Sequence, residues 1–179
     1  MNIIEKKAYL TSEEKDSIET GLLSGIFPWY FSPNMITDTD KDFFFFHNLY
    51  LRSEDPNVEA KENSDHARFF RQIFERFCKD NDIKVNIIYR ASINLSIFNG
   101  KKESAIHLDH PEFVHRNFIL YLTDNKKLGT KIYDEDCETV IHVSKGIKYN
   151  AVVFDGYSHS GILPNKPGQL RLVCVFTFN

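Results

Sequence analysis

Cysteine is scarce in this chain of 179 residues: Cys78, Cys137 and Cys174 are widely spaced and odd in number, so neither a disulfide framework nor a Cys-x-x-Cys zinc knuckle can be read. Long apolar runs are missing too. The longest, such as Phe43-Phe44-Phe45-Phe46, fall far short of the roughly 20 residues that a membrane span needs. The first ten residues interrupt a few apolar positions with Glu5, Lys6 and Lys7 and offer no continuous hydrophobic core or small-residue cleavage site, which argues against secretion. A cytoplasmic, reducing setting is expected. No charge of one sign dominates: 22 Lys and Arg stand against 25 Asp and Glu, for a net charge of −3. Nonspecific duplex binding draws on Lys and Arg to neutralise phosphates, so this balance disfavours nucleic acid as a partner.

What remains is enough for one globular domain. Hydrophobic residues make up 42% of the chain and charged ones 26%, and a chain of this length buries roughly 70% of the surface its unfolded form exposes. The 16 Phe and 8 Tyr are read as core-filling residues.

Thr11-Ser12-Glu13-Glu14 has capping-box spacing, and Ile18, Leu22 and Leu23 follow at helical intervals, which predicts a helix over 12–23. Gly25, Pro28, Pro33 and Asn34 punctuate the aromatic segment 27–31, expected as loop or edge strand, and 53–63 reads as a loop. From Ser64 to Lys79, Ala67, Phe70, Phe74 and Phe77 recur every three or four residues opposite Arg68, Arg71, Glu75 and Lys79, predicting a second helix. Beyond Ile83 the period becomes two. Strands are predicted over 84–98, 106–108, 118–123, 130–133, 139–143, 151–154 and 170–178, separated by turn residues such as Asn99-Gly100 and Asp155-Gly156. The fold class is therefore α+β. About 1–82 form a helical and mixed support region, and about 83–179 form a jelly-roll-like β core, within a single domain.

Of seven histidines, His107 has a geometric reason for interest. In Ile106-His107-Leu108-Asp109, residues two apart on extended chain share a face, so an imidazole and a carboxylate stand side by side. Further on, Asp155-Gly156-Tyr157-Ser158-His159 presents a histidine after a strand-ending turn. Twelve residues later Arg171 interrupts the otherwise apolar strand Leu170–Phe178. An arginine buried there is costly unless it meets an anion, and its planar fork suits a carboxylate. Two histidines and one carboxylate are the ligand set of the facial triad that leaves iron positions open.

His107-x-Asp109, His159 and Arg171, in this order, resemble the Fe(II)/2-oxoglutarate-dependent dioxygenases, in particular the prolyl-hydroxylase-like branch, over about 89–178. The resemblance implies a double-stranded β-helix, of jelly-roll or cupin type, with the N-terminal helices packed on it. It implies that His107, Asp109 and His159 are catalytic and hold Fe(II), and that Arg171 clamps the distal carboxylate of 2-oxoglutarate. Tyr121 stands where relatives carry a tyrosine reaching that carboxylate, and Ile119 and Val173 would share the cosubstrate-facing wall. O2 is the second cosubstrate and ascorbate a supporting reductant. The implied activity is hydroxylation of a peptide or protein side chain or a small molecule, with release of succinate and CO2. Thr177 stands where nucleic-acid demethylases of the superfamily carry a second arginine, which again points away from nucleic acid. The alternative is a catalytically silent jelly-roll module that binds a carbohydrate or protein and keeps the triad as a structural metal site.

Other residues have plainer readings. His110 and His115 are expected as solvent-facing loop histidines, His142 as structural, and Trp29 with its aromatic neighbours as packing beneath the β core. The acidic neighbours of Cys137 raise a thiol pKa and argue against a nucleophile, and Ser160 lacks the surroundings of a nucleophile elbow.

Overall fold

In a computed structural model, residues 2–36 and 42–179 are described. They form ten strands and two α-helices: β1 (Ile3–Lys6), α1 (Ser12–Ser17), β2 (Tyr30–Ser32), β3 (Phe44–Tyr50), α2 (Ala67–Asp80), β4 (Ile88–Ile97), β5 (Arg116–Tyr121), β6 (Thr130–Tyr133), β7 (Val140–Ser144), β8 (Ala151–Asp155), β9 (His159–Gly161) and β10 (Leu170–Phe178). Seven strands make a large antiparallel sheet in the order β1-β8-β5-β10-β4-β3-β2, and three make a small one in the order β7-β6-β9. No helix among the described residues is long and apolar enough to cross a membrane.

The large sheet is sandwiched, and its strands β5, β8 and β10 carry apolar residues on both faces. On β5, Phe118 and Leu120 face the helices while Ile119 and Tyr121 face the small sheet; on β10, Leu172, Cys174 and Phe176 face the helices and Val173 the opposite way. Period-two alternation thus sorts one strand into two cores. Helix α2 covers the outer face. Phe74 stacks on Phe176 with ring centroids 4.5 Å apart, and Phe77 meets Phe118 edge-on at 5.2 Å. Each fully buried phenylalanine contributes roughly 1.5–3 kcal/mol of apolar transfer. Ser64 serves the start of α2: its Oγ accepts from His66 N, and its carbonyl accepts from Ala67 N.

Several boundaries differ from the sequence-based expectation. The capping box is present: Glu14 N donates to Thr11 Oγ1, and Thr11 N donates to Glu14 Oε2. The helix it opens does not run uniformly to Leu23, because a π-helical turn replaces the α pattern at Ile18–Leu22. The N-terminal part is also more than helical support. Strand β1 pairs with β8 and β3 with β4, so this region supplies both flanks of the large sheet, ending in the three-residue edge strand β2. Residues 106–108 are not a strand. The segment 102–107 runs beside β9 through isolated contacts only, with bridges Glu103↔Ile162 and His107↔His159.

Candidate metal centre and cosubstrate cavity

The His107↔His159 bridge is the local device that assembles the site. His107 N donates to His159 O at 3.0 Å and His159 N donates to His107 O at 2.9 Å, which sets the two residues directly opposite one another. Their imidazole centroids lie 4.3 Å apart. Asp109, two residues along and buried, brings a carboxylate oxygen to 3.6 Å from His159 Nε2. One ligand atom from each of His107, Asp109 and His159 lies within 4.8 Å of the other two, a cluster able to hold a metal ion.

The donor chemistry fits a divalent metal. His107 Nδ1 is 3.2 Å from Ala105 O and His159 Nδ1 is 3.1 Å from Tyr157 O. A carbonyl can only accept, so each ring carries its proton on Nδ1 and presents a bare Nε2 lone pair. Burial also pushes the His159 imidazole down to about 4, and His107 down as well, so both rings are neutral near pH 7. Burial alone would raise the Asp109 carboxyl, but the adjacent Arg90 guanidinium holds it well below the usual carboxylate range. Neutral imidazoles and an ionised carboxylate are the ligation-ready forms. The orienting carbonyls supply the outer shell that metal-binding histidines ordinarily have.

These groups line one cavity of about 620 Å³, together with Ile119, Val173 and Arg171. Arg171 is 8% exposed on the inner face of β10. Its hydrogen bonds go to neutral groups: Nε donates to Leu128 O at 3.3 Å and Nη2 to Thr130 Oγ1 at 3.0 Å. Among the described residues no carboxylate pairs with it, and burial lowers its pKa. A desolvated guanidinium without a counter-ion, facing a cavity, has the chemistry to receive an anion.

Strand register gives its distance from the metal ligands. Arg171 packs against Gly161, where an added side-chain carbon would meet Cζ at 3.3 Å. Gly161 lies two residues beyond His159 on β9, roughly 7 Å along an extended strand. A short diacid spans that gap.

Tyr121 lies outside the cavity wall. Its hydroxyl donates to Thr130 Oγ1 at 2.9 Å, the same oxygen that accepts from Arg171 Nη2, and burial raises its pKa. It steadies Arg171 through Thr130. Ser160 points away from His159 into a separate cluster, bonding Glu103 Oε1 at 2.5 Å beside Tyr133, and Lys131 completes that cluster.

The expectation that His110 and His115 face solvent is wrong: they are 1% and 3% exposed. His110 stacks on Phe113, its ring centroid 5.5 Å from that of Tyr89, and its Nδ1 lies 3.3 Å from Arg52 Nη2. Burial and the Arg52 charge push its pKa down to about 4, so the ring stays neutral and accepts from Arg52. His142 is structural as expected, its Nε2 3.2 Å from Glu5. Trp29 packs against the main core.

Sequence reasoning missed a polar stripe. Arg90, Ser92, Asn94 and Ser96 on β4 all line the cavity, while Ala91, Ile93 and Leu95 turn to the helix side. The strict polar–apolar alternation of Arg90-Ala91-Ser92-Ile93-Asn94-Leu95-Ser96-Ile97 was the available signal.

No protein-family model matches the chain, and no curated protein matches it in sequence. Solved structures do match in backbone. A 2OG-Fe(II) oxygenase family oxidoreductase from Burkholderia pseudomallei has TM-score 0.72 at 13% identity, over 99% of this chain and 84% of that one. A Pseudomonas putida prolyl-4-hydroxylase has TM-score 0.60 at 12% identity, over 99% and 92%. A Trichoplax adhaerens prolyl hydroxylase, in complex with a hypoxia inducible factor oxygen degradation domain peptide fragment, has TM-score 0.63 at 10% identity, over 98% and 82%. The β-rich, jelly-roll-like architecture of this chain is thus the fold of 2OG-Fe(II) oxygenases, prolyl hydroxylases among them.

Proposed function

We propose that the protein is a non-haem Fe(II) and 2-oxoglutarate-dependent dioxygenase that hydroxylates a peptide or protein side chain or a small molecule, releasing succinate and CO2. One observation carries the reading: a ligation-ready His107–Asp109–His159 cluster and an unpaired, buried Arg171 share one cavity, about two strand residues apart. The fold likeness supports it.

In this reading His107, Asp109 and His159 hold Fe(II) and leave its remaining positions open. Bound iron supplies the chemistry by which O2 is reduced as 2-oxoglutarate is decarboxylated. The protein's part is placement. Arg171 clamps the distal carboxylate, held by Leu128 O and by Thr130, which Tyr121 steadies in turn. Ile119 and Val173 give the methylene chain an apolar wall and keep water from it. Nδ1–H of each histidine donates to a backbone carbonyl, which keeps either ring from rotating away from the site. Arg90, 3.5 Å from Asp109 Oδ1, keeps that carboxylate ionised.

The test is turnover. Incubation with Fe(II), ascorbate, O2 and 2-oxoglutarate releases succinate in this reading. A metal-loaded protein that binds no 2-oxoglutarate and forms no succinate is instead a silent binding module.

A further inference from the structure

The cavity has a second cationic end besides Arg171. Arg171 lies opposite Ser96 and Thr177 opposite Arg90 in the register of β10 with β4. Six residues therefore separate the backbone positions of the two arginines along the sheet, roughly 20 Å from Cα to Cα. At the far end Arg90 and Arg52 both line the cavity on either side of Asp109: Arg90 Nη1 is 3.5 Å from Oδ1, and Arg52 Nη2 donates to the Asp109 carbonyl at 2.5 Å. The same end holds Asn117, which is 3% exposed and neighbours Thr177 on β5. Its Oδ1 accepts from Thr177 Oγ1 at 3.3 Å, while its Nδ2 has no partner although it is buried. An orphaned donor in a cavity wall is unfavourable unless a ligand acceptor fills it.

Charge makes the same point. Among the described residues, three guanidinium groups line the cavity, Arg52, Arg90 and Arg171, against the single carboxylate of Asp109, in a chain whose net charge is −3. A divalent metal and a dianionic cosubstrate cancel one another, so the excess positive charge remains for the primary substrate. Glu54 offsets Arg52 at 2.8 Å, but it is 71% exposed and screened by solvent. Tyr50, opposite Ala91 on β4, lines the cavity beside this end, while Phe44 and Phe46 form an apolar wall farther along β3, toward Arg171.

We infer that the Arg52–Arg90–Asn117 end of the cavity is the primary-substrate site and takes a small carboxylate-bearing molecule. This rests on the oxygenase reading for what happens to the substrate, but not for its binding. A carboxylate matches the planar donor fork of arginine. At about 620 Å³ the cavity has room for a cosubstrate and a compact acid together. Approach is steered by the same charges, so association slows as salt rises.

The experiment uses the Zn(II)-loaded full chain with N-oxalylglycine saturating the cosubstrate site. The probes are two matched pairs, 3-phenylpropionate with 3-phenylpropionamide and N-acetylproline with its amide, titrated by calorimetry. At least one acid binds about tenfold or more tighter than its amide, a difference of about 1.4 kcal/mol. Arg90→Gln and Arg52→Gln each shrink that ratio toward one, Arg90→Lys keeps part of it, and Arg171→Ala keeps it while losing N-oxalylglycine. Reading a ratio guards against a variant that only lowers the folded fraction. Equal binding of acid and amide, no binding of either acid, tighter binding of inorganic phosphate, or a ratio unchanged in both glutamine variants overturns the inference. The ratio is also read without N-oxalylglycine. Failure of the oxygenase reading then shows as no N-oxalylglycine binding, and failure of the anion site shows as a ratio of one.

Discussion

Arg171 and Gly161 meet across the gap between the two sheets, with Cζ, Nη1 and Nη2 of the guanidinium at 3.3, 3.4 and 3.5 Å from where a glycine side chain would begin. Three nearly equal distances mean that the strand backbone covers the face of the guanidinium and leaves its edge for an anion. Close approach favours glycine here, since a side-chain carbon would press on the guanidinium. Gly161→Ala should therefore displace Arg171 by a few tenths of an ångström and weaken 2-oxoglutarate binding several-fold, and Gly161→Val should weaken it more. Calorimetry on metal-loaded protein checks this, and both variants should keep their metal stoichiometry.

Arg171→Ala should cost about 2–5 kcal/mol of 2-oxoglutarate binding, the range for removing one partner of a desolvated charge pair. Arg171→Lys should fall between, because lysine keeps the charge but loses the fork. Metal affinity should be unchanged in both, measured by competition with a chromogenic chelator.

His107→Ala and His159→Ala should each abolish stoichiometric Fe(II) binding and leave the fold intact, because the apolar surface is buried by the sheets and α2 and not by a metal. Circular dichroism should be native-like. Phe74→Ala makes the contrast: it leaves the ligands alone but should destabilise by about 3–5 kcal/mol, since Phe74 packs on Phe118, Phe176 and Phe178 in the core.

The metal-free protein should lose stability as pH falls from about 6.5 toward 4. His110 and His159 are held neutral by burial, with pKa values near 4 against the ordinary 6.5. Between those values the unfolded chain binds more protons than the folded one, so unfolding becomes more favourable as pH drops. The Asp109 carboxyl, ionised in the fold to well below its ordinary value, extends the same trend to lower pH. Urea midpoints at pH 7, 6 and 5, with a chelator present, should fall in that order, by about 1–3 kcal/mol in total. A flat profile would contradict the burial of these rings.

Much of the site was legible in the sequence, for a physical reason. A charged residue on a doubly buried strand, as Arg171 is, breaks the apolar pattern visibly, and His107-x-Asp109 needs only two-residue periodicity to be read. The limits of β6 and β10 followed from the same alternation. Strand β3 was hidden because Phe43–Phe46 is apolar on consecutive positions and has no period, one phenylalanine face meeting the cavity and the other turning away. Residues 106–108 mislead because a single bridge, not a ladder, holds them beside β9. His110 is buried against Tyr89 and Arg52 and His115 against His110 and Gly156, and the contacts with Tyr89, Arg52 and Gly156 are distant in sequence, so no local pattern encodes them.

The central claim is that metal and Arg171 jointly bind one five-carbon keto diacid. Anaerobic calorimetry of 2-oxoglutarate into the Fe(II)-loaded protein, the metal-free protein and Arg171→Ala tests it most directly. The account predicts one tight site per chain that needs both the metal and the guanidinium, with succinate, which lacks the keto group, binding far more weakly. Binding of 2-oxoglutarate that is equally tight without metal, or equally tight in Arg171→Ala, would contradict it.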